Sequence, residues 1–255
     1  MPSFGFLQAF IAGMFIAASA GMLGSFALLK RMALVGDALS HVALPGIALG
    51  LIFNFNPFFG AFVFLMSGAL LIWIAEHKTK LPVDALVGIF FSVALAFGAM
   101  LTPKEELLEA LFGNVTKIEP FDFWLAIILS TIVITVLYSF SKKFILTFIS
   151  PDLSLSVGLK PHRLELTFLL IFALSVLIGM KFAGVLLMGS LIIIPAATAR
   201  NIAGSMYSYV LLSVILSVIG ALLAVTASYF YGFQPGPAFV IIAGAFFLAS
   251  IFFKK

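Results

Sequence analysis

Nine uncharged apolar stretches divide this chain of 255 residues, at about 6–29, 33–53, 57–75, 85–101, 121–141, 164–180, 183–199, 203–230 and 237–253. Each comes near the roughly 20 residues a helix needs to cross a hydrocarbon core about 30 Å thick. They are therefore read as spanning helices, and the fold class as an all-α polytopic membrane protein. With 63% hydrophobic residues, 9% charged and thirty Phe, the composition agrees, and residues 1–255 form a single transmembrane domain. No Lys or Arg precedes Phe6–Leu29, whose apolar length exceeds a signal peptide's core, so it is expected to be the first crossing. Two places leave the count of nine open to eight with a re-entrant piece. Met180 to Gly184 is a very short turn, and within the uncharged residues 201–253 only GFQPGP at 232–237 marks a break.

Basic residues orient the chain. With nine helices and the N-terminus outside, Lys30, Arg31, Lys78, Lys80, Lys142, Lys143, Lys160, Arg163, Arg200, Lys254 and Lys255 fall in the cytoplasm, eleven of the fourteen. That is the bias of the positive-inside rule, and the opposite orientation keeps only three there. The C-terminus is then cytoplasmic, and the chain lies in the cytoplasmic (inner) membrane. The loop at 102–120 falls outside and carries Glu105, Glu106, Glu109 and Glu119 against Lys104 and Lys117, which suits either a docking surface or a solvated connection.

The run GDALSHVALPG at 36–46 sets a carboxylate and an imidazole where a spanning helix belongs. Asp37 and His41 lie four residues apart, on one helix face. The apolar residues after them, Val42 to Phe53, number 12, or roughly 18 Å of helix, too little to span. The helix must start earlier, near Ala33, which puts both side chains inside the slab. Polar groups there cost several kcal/mol and usually face a pathway. Pro45, Gly46 and Pro195 are expected to interrupt apolar helices along such a path, because proline withholds a backbone N–H that neighbours or a cavity must compensate. Met188, Ser190 and Thr198 belong either to that path or to ordinary packing. ALPGIA and IIPAATA run in opposite directions on this topology, a short hint of an inverted repeat.

The longest cytoplasmic connection, 142–163, contains a short helix framed by breakers. Ser150-Pro151-Asp152 reads as a start, with Ser150 or Asp152 as cap, and Gly158 as a stop before Lys160-Pro161. Leu153, Leu155, Val157 and Leu159 give it an apolar surface, suited to packing on another protein or to lying on the membrane.

Other chemistries find no support in the residues. There is no G-x-x-x-x-G-K-[ST] loop, so ATP-driven transport requires a separate ATPase chain, and this chain is read as a transport subunit and not an enzyme. No Ser-His-Asp set is present, and His77 and His162, at cytoplasmic helix ends, are read as solvated surface residues. The net charge of +4 comes from dispersed helix-end residues without stacking aromatics, so nucleic acid is not a partner. With no cysteine, disulfides and thiolate metal ligands are excluded.

KRMALVGDALSHVALPGIALG at 30–50 and GVLLMGSLIIIPAATAR at 184–200 resemble the membrane permease of the ABC importers for zinc, manganese and iron. The similarity runs the whole chain, and SPDLSLSVGL at 150–159 resembles that family's coupling helix, carrying Pro151, Asp152, Leu153, Leu155, Val157, Gly158 and Leu159. The resemblance implies a fold similar to the cobalamin-type (type II) importers, a permease dimer, two ABC ATPase subunits that hold the ATP, and an extracytoplasmic metal-binding protein. Members often carry an aspartate before the late proline-glycine turn, where this chain has Gln234, so Gln234 is left out of the metal site.

Imidazole with carboxylate suits borderline divalent ions, and two such ligands per chain across a dimer axis supply four. Asp37 and His41 are accordingly the expected metal ligands. The structural alternative is that they bond each other or cap a helix broken near Gly36 and Pro45. Zinc is favoured over manganese and iron as cargo because it binds nitrogen-oxygen sites more tightly. Two rival functions remain at this stage: an ATP-independent secondary metal carrier using the pair as a proton relay, and a non-transporting scaffold subunit.

Overall fold

The computed structural model describes residues 4–79, 81–101, 120–185 and 187–253. Among them the chain is helical, with α1 Phe4–Leu29, α2 Val35–Ile52, α3 Pro57–Thr79, α4 Val83–Leu101 and α5 Pro120–Ile149, then α6 Pro151–Ser156, α7 Pro161–Ala183, α8 Met188–Ile202, α9 Met206–Tyr231 and α10 Pro235–Ile251. The acidic stretch with Glu105, Glu106, Glu109 and Glu119 lies outside the described residues.

All nine apolar stretches are helices, but not all of spanning length. Seven are long and apolar enough to cross a membrane alone: α1 to α5, α7 and α9. α10 has 17 residues and α8 only 15, about 22 Å. α8 was expected over 183–199 and instead begins at Met188. Gly184 is the cause: its φ of 82° is the left-handed conformation glycine alone adopts freely, and its N–H closes α7 on the carbonyl of Met180 at 2.8 Å. The fifth helix, expected to end at 141, runs on to Ile149 through Lys142 and Lys143. The Lys143 ammonium lies 4.9 Å over the Phe140 ring, so its long stem covers apolar surface while the charge reaches the edge.

Pro45 and Pro195 do not break their helices, contrary to expectation. Each sits within a continuous helix, α2 or α8. A proline removes one i→i−4 bond, here the bonds to the carbonyls of His41 and Leu191, and packing on both sides carries the helix through.

Pairings across the bundle define its two ends. At one, Lys30 Nζ lies 3.2 Å from Glu165 Oε1 and the Trp73 indole N–H donates to the His162 carbonyl at 3.0 Å. At the other, Lys181 pairs with Asp122 and stands 5.7 Å over Phe58, while Phe6 meets Tyr229. α3 and α5 therefore run antiparallel to α7, and α1 antiparallel to α9. α6 hangs at the first end, with Lys30, Lys78, Lys160 and Arg163.

Helices that are apolar all round gain nothing from lipid by meeting one another, so close contact must come from shape. α2 and α3 show this best. A β-carbon on Gly46 would meet the backbone of Gly60, coming within 2.9 Å of the Ala61 nitrogen, and a β-carbon on Gly60 would collide with Gly46 in turn. We expect Gly46→Val to destabilise the purified protein by about 1–3 kcal/mol, as overpacking does, and to lower its thermal unfolding midpoint in detergent. Gly88, whose β-carbon would meet nothing within 4 Å, is the neutral control as Gly88→Ala. Equal midpoints for the two variants would show that these helices do not need their close approach.

Candidate functional site

α2 begins inside the bundle. Gly36 faces the Phe172 ring, the twelfth residue of the 23 in α7, and Val42 packs on Gly68, eleven residues before the end of α3. Eleven residues are roughly 16 Å of helix, so Asp37 and His41 sit about half-way along their neighbours. Residues 30–34, without helical structure of spanning kind, lift the chain from Lys30 to that level.

His41 is 5% exposed, with its ring edge-on to Phe91 at 4.8 Å between centroids. Its Nδ1 lies 2.8 Å from the Asp37 carbonyl. A carbonyl only accepts, so Nδ1 carries the proton, and in the neutral ring Nε2 keeps a free lone pair. Ser40 Oγ, 2.6 Å from the same carbonyl and 2.7 Å from that of Val185, shares its one proton between them and ties α2 to the loop after α7. The imidazole is thus held in one tautomer by a backbone acceptor, the arrangement that orients metal-binding histidines.

Asp37 stands in the first turn of α2 with its side chain exposed. It does not cap the helix; Leu34 holds that position without a side-chain bond. No hydrogen bond reaches its carboxylate among the described residues, and the His41 ring bonds the Asp37 backbone and not its side chain. Gly189, in the first turn of α8, lies directly against it: a β-carbon there would be 2.9 Å from Asp37 Cβ and 3.0 Å from its nitrogen. The first turns of α2 and α8 therefore meet at Asp37.

Of the other path candidates, Met188 is fully buried and packs on Gly179, and the Thr198 hydroxyl donates back to the Ile194 carbonyl at 2.8 Å. Both pack within the bundle. Ser190 is partly exposed. Pro45 follows His41 by one turn and removes the usual partner of its carbonyl, while Pro195, two turns into α8, does the same to Leu191.

At the end of the bundle, α6 forms where the breakers frame it. Ser150 is the cap, accepting from the Leu153 N–H, Pro151 occupies the first turn, and Gly158 stops the helix at φ 78°. Leu153, Leu155 and Val157 are more than half exposed, whereas Leu159 turns inward onto the core.

His77 and His162, expected as separate solvated residues, are in contact: His77 Nε2 is 2.5 Å from His162 Nδ1, with Glu165 beside them. The one local sign was His162-x-x-Glu165, an i, i+3 spacing on one helix face. The partner 85 residues away was not legible.

A multi-pass bundle, helical among the described residues, with a buried imidazole and an exposed carboxylate at mid-height and an exposed apolar segment at one end is a membrane permease. The chain belongs to the ABC 3 transport family, whose profile matches residues 4–254, and is a permease subunit of a metal-ion ABC importer. It is 31% identical over 261 residues to the manganese transport system membrane protein MntC of Listeria innocua, covering 100% of this chain and 93% of that one. Against the high-affinity zinc uptake system membrane protein ZnuB of Haemophilus influenzae it is 32% identical, covering 97% of each. The solved structure of PsaBC from Streptococcus pneumoniae in complex with Fab superposes with a TM-score of 0.87 at 29% identity, over 99% of this chain and 93% of that one. An inward-facing metal-chelate type ABC transporter, at TM-score 0.81 and 15% identity, shares the fold.

Proposed function

We propose that this permease moves a divalent first-row metal ion through a site made of Asp37 and His41 from two copies of the chain. The observation that carries it is the pair's position: a carboxylate without a bonding partner among the described residues, and an imidazole with its lone pair free, half-way along α3 and α7. An exposed carboxylate at that depth is untenable against lipid. A second copy covers it and doubles the ligands to two carboxylates and two imidazoles, a set suited to zinc and manganese. The N-terminus then faces outside, and the end bearing Lys30, Lys78, Arg163 and α6 is cytoplasmic.

ATP is hydrolysed by separate ABC ATPase subunits that dock on α6, and an extracytoplasmic binding protein delivers the ion at the opposite mouth. Leu153, Leu155 and Val157 supply the apolar contact for the ATPase. The nitrogen-oxygen ligand set binds zinc more tightly than manganese by the general stability order. Zinc is accordingly the favoured cargo of the permease site itself, with selection by the delivering protein acting before it. The manganese and zinc systems to which the chain is similar bracket this choice.

Liposomes holding the permease with its ATPase and binding protein test the reading. ATP-dependent uptake is expected, with zinc displacing manganese when both compete. Uptake that persists without the ATPase would make this a secondary carrier, and a clear preference for manganese would overturn zinc while leaving the permease in place.

A further inference from the structure

We propose a second divalent-cation site, formed by His77, His162 and Glu165 with Glu76 beside them, at the end of the bundle that bears α6. Ligand atoms of His77, His162 and Glu165 all lie within 4.8 Å of one another. Zinc–nitrogen and zinc–oxygen bonds of about 2.05 Å at tetrahedral angles need donors roughly 3.3 Å apart. The imidazole nitrogens are 2.5 Å apart and no pair of ligand atoms is separated by more than 4.8 Å, so side-chain rotation reaches that spacing.

The supporting bonds point the same way. His77 Nδ1 lies 2.7 Å from the Trp73 carbonyl, so it carries the proton and Nε2 offers its lone pair toward His162. The same tryptophan donates its indole N–H to the backbone carbonyl of His162 at 3.0 Å. One residue thereby fixes the tautomer of the first imidazole and the backbone of the second, as outer partners of metal ligands do. Glu165 follows His162 by three residues on α7, so both face α3 together.

Charge and an orphaned atom complete the case. Glu76 lies near enough to Lys30, Glu165, His77 and His162 to interact with all four electrostatically. Its buried Oε2 has no hydrogen-bond partner among the described residues, and neither has the buried Nζ of Lys30, which leaves that oxygen an open acceptor beside the imidazoles. Lys30 Nζ, 3.2 Å from Glu165 Oε1, sets one ammonium against the carboxylate that faces the imidazoles. Two imidazoles and a carboxylate without thiolate, with a second carboxylate near by, suit zinc or a similar borderline divalent ion. Bound there, the ion joins α3 to α7 within six residues of the end of α6. The site does not depend on the role proposed for Asp37 and His41.

The test uses the full chain with both Asp37→Ala and His41→Ala, purified, stripped with chelator and titrated with zinc alone. One saturable zinc per chain is expected, together with a rise in thermal unfolding midpoint. Adding His77→Ala or His162→Ala is expected to weaken binding at least ~100-fold, and Trp73→Phe about 10-fold, as loss of an outer partner does. If an alanine variant fails to fold, Glu165→Gln serves, with the same loss expected. Absence of saturable zinc binding in the Asp37/His41 double variant would overturn the proposal. So would binding unchanged by these substitutions, which would reduce the cluster to an imidazole–imidazole hydrogen bond.

Discussion

Alanine at Asp37 or at His41 is expected to reduce metal uptake more than about 100-fold while leaving the permease in the membrane and bound to its ATPase. The size follows from ligand chemistry: loss of an outer partner alone costs 10–100-fold, and these side chains are proposed as the ligands. His41→Gln and Asp37→Asn separate this from a packing role. A glutamine retains a donor for the Asp37 carbonyl and much of the bulk against Phe91, so a structural histidine would tolerate it. A ligand would not, because the amide lacks the imidazole's basic lone pair. Asp37→Asn likewise keeps the contact with Gly189 and removes only the charge. Uptake at the wild-type level in both alanine variants would sink the site.

A charge on the exposed face of α6 is expected to have the next largest effect. Leu155 is 58% exposed and Val157 59%, at the tip of a segment whose cap and stop hold it away from the bundle. Leu155→Glu would bury an unpaired carboxylate in any apolar contact made there, at a cost of several kcal/mol. ATPase association in detergent is expected to weaken at least ~100-fold, or hydrolysis to continue without transport. The fold is not at risk, since the residue touches little of its own chain. Retained coupled transport would instead make α6 a helix that lies on the membrane surface.

Much of the architecture was legible because its causes are local. Ser150-Pro151 and Gly158 act within a few residues of themselves, so the short helix between them follows from capping and from the left-handed turn glycine allows. Nine apolar stretches became nine helices for the same reason, and the spacing of Asp37 and His41 put them on one face wherever that helix began. Boundaries moved where side-chain reach or a backbone conformation intervened: Lys143 lying over Phe140 let α5 run on, and Gly184 delayed the start of α8.

The sequence by itself therefore determined the class of protein, its helices, the placing of Asp37 and His41 on one helix face and the capped segment at 150–159. Only the tertiary structure decided that α2 starts half-way along α7, that Gly189 rests on Asp37, and that His77 finds His162 and Glu165. The physical reason is that these helices are apolar on every side. Periodicity points to a core when one face is polar, but in a uniformly apolar helix it carries no direction. Neighbours are then chosen by shape, through glycines such as Gly46 and Gly60 and through the few polar groups that must find partners. Both kinds of choice become visible only when segments far apart in the chain stand side by side.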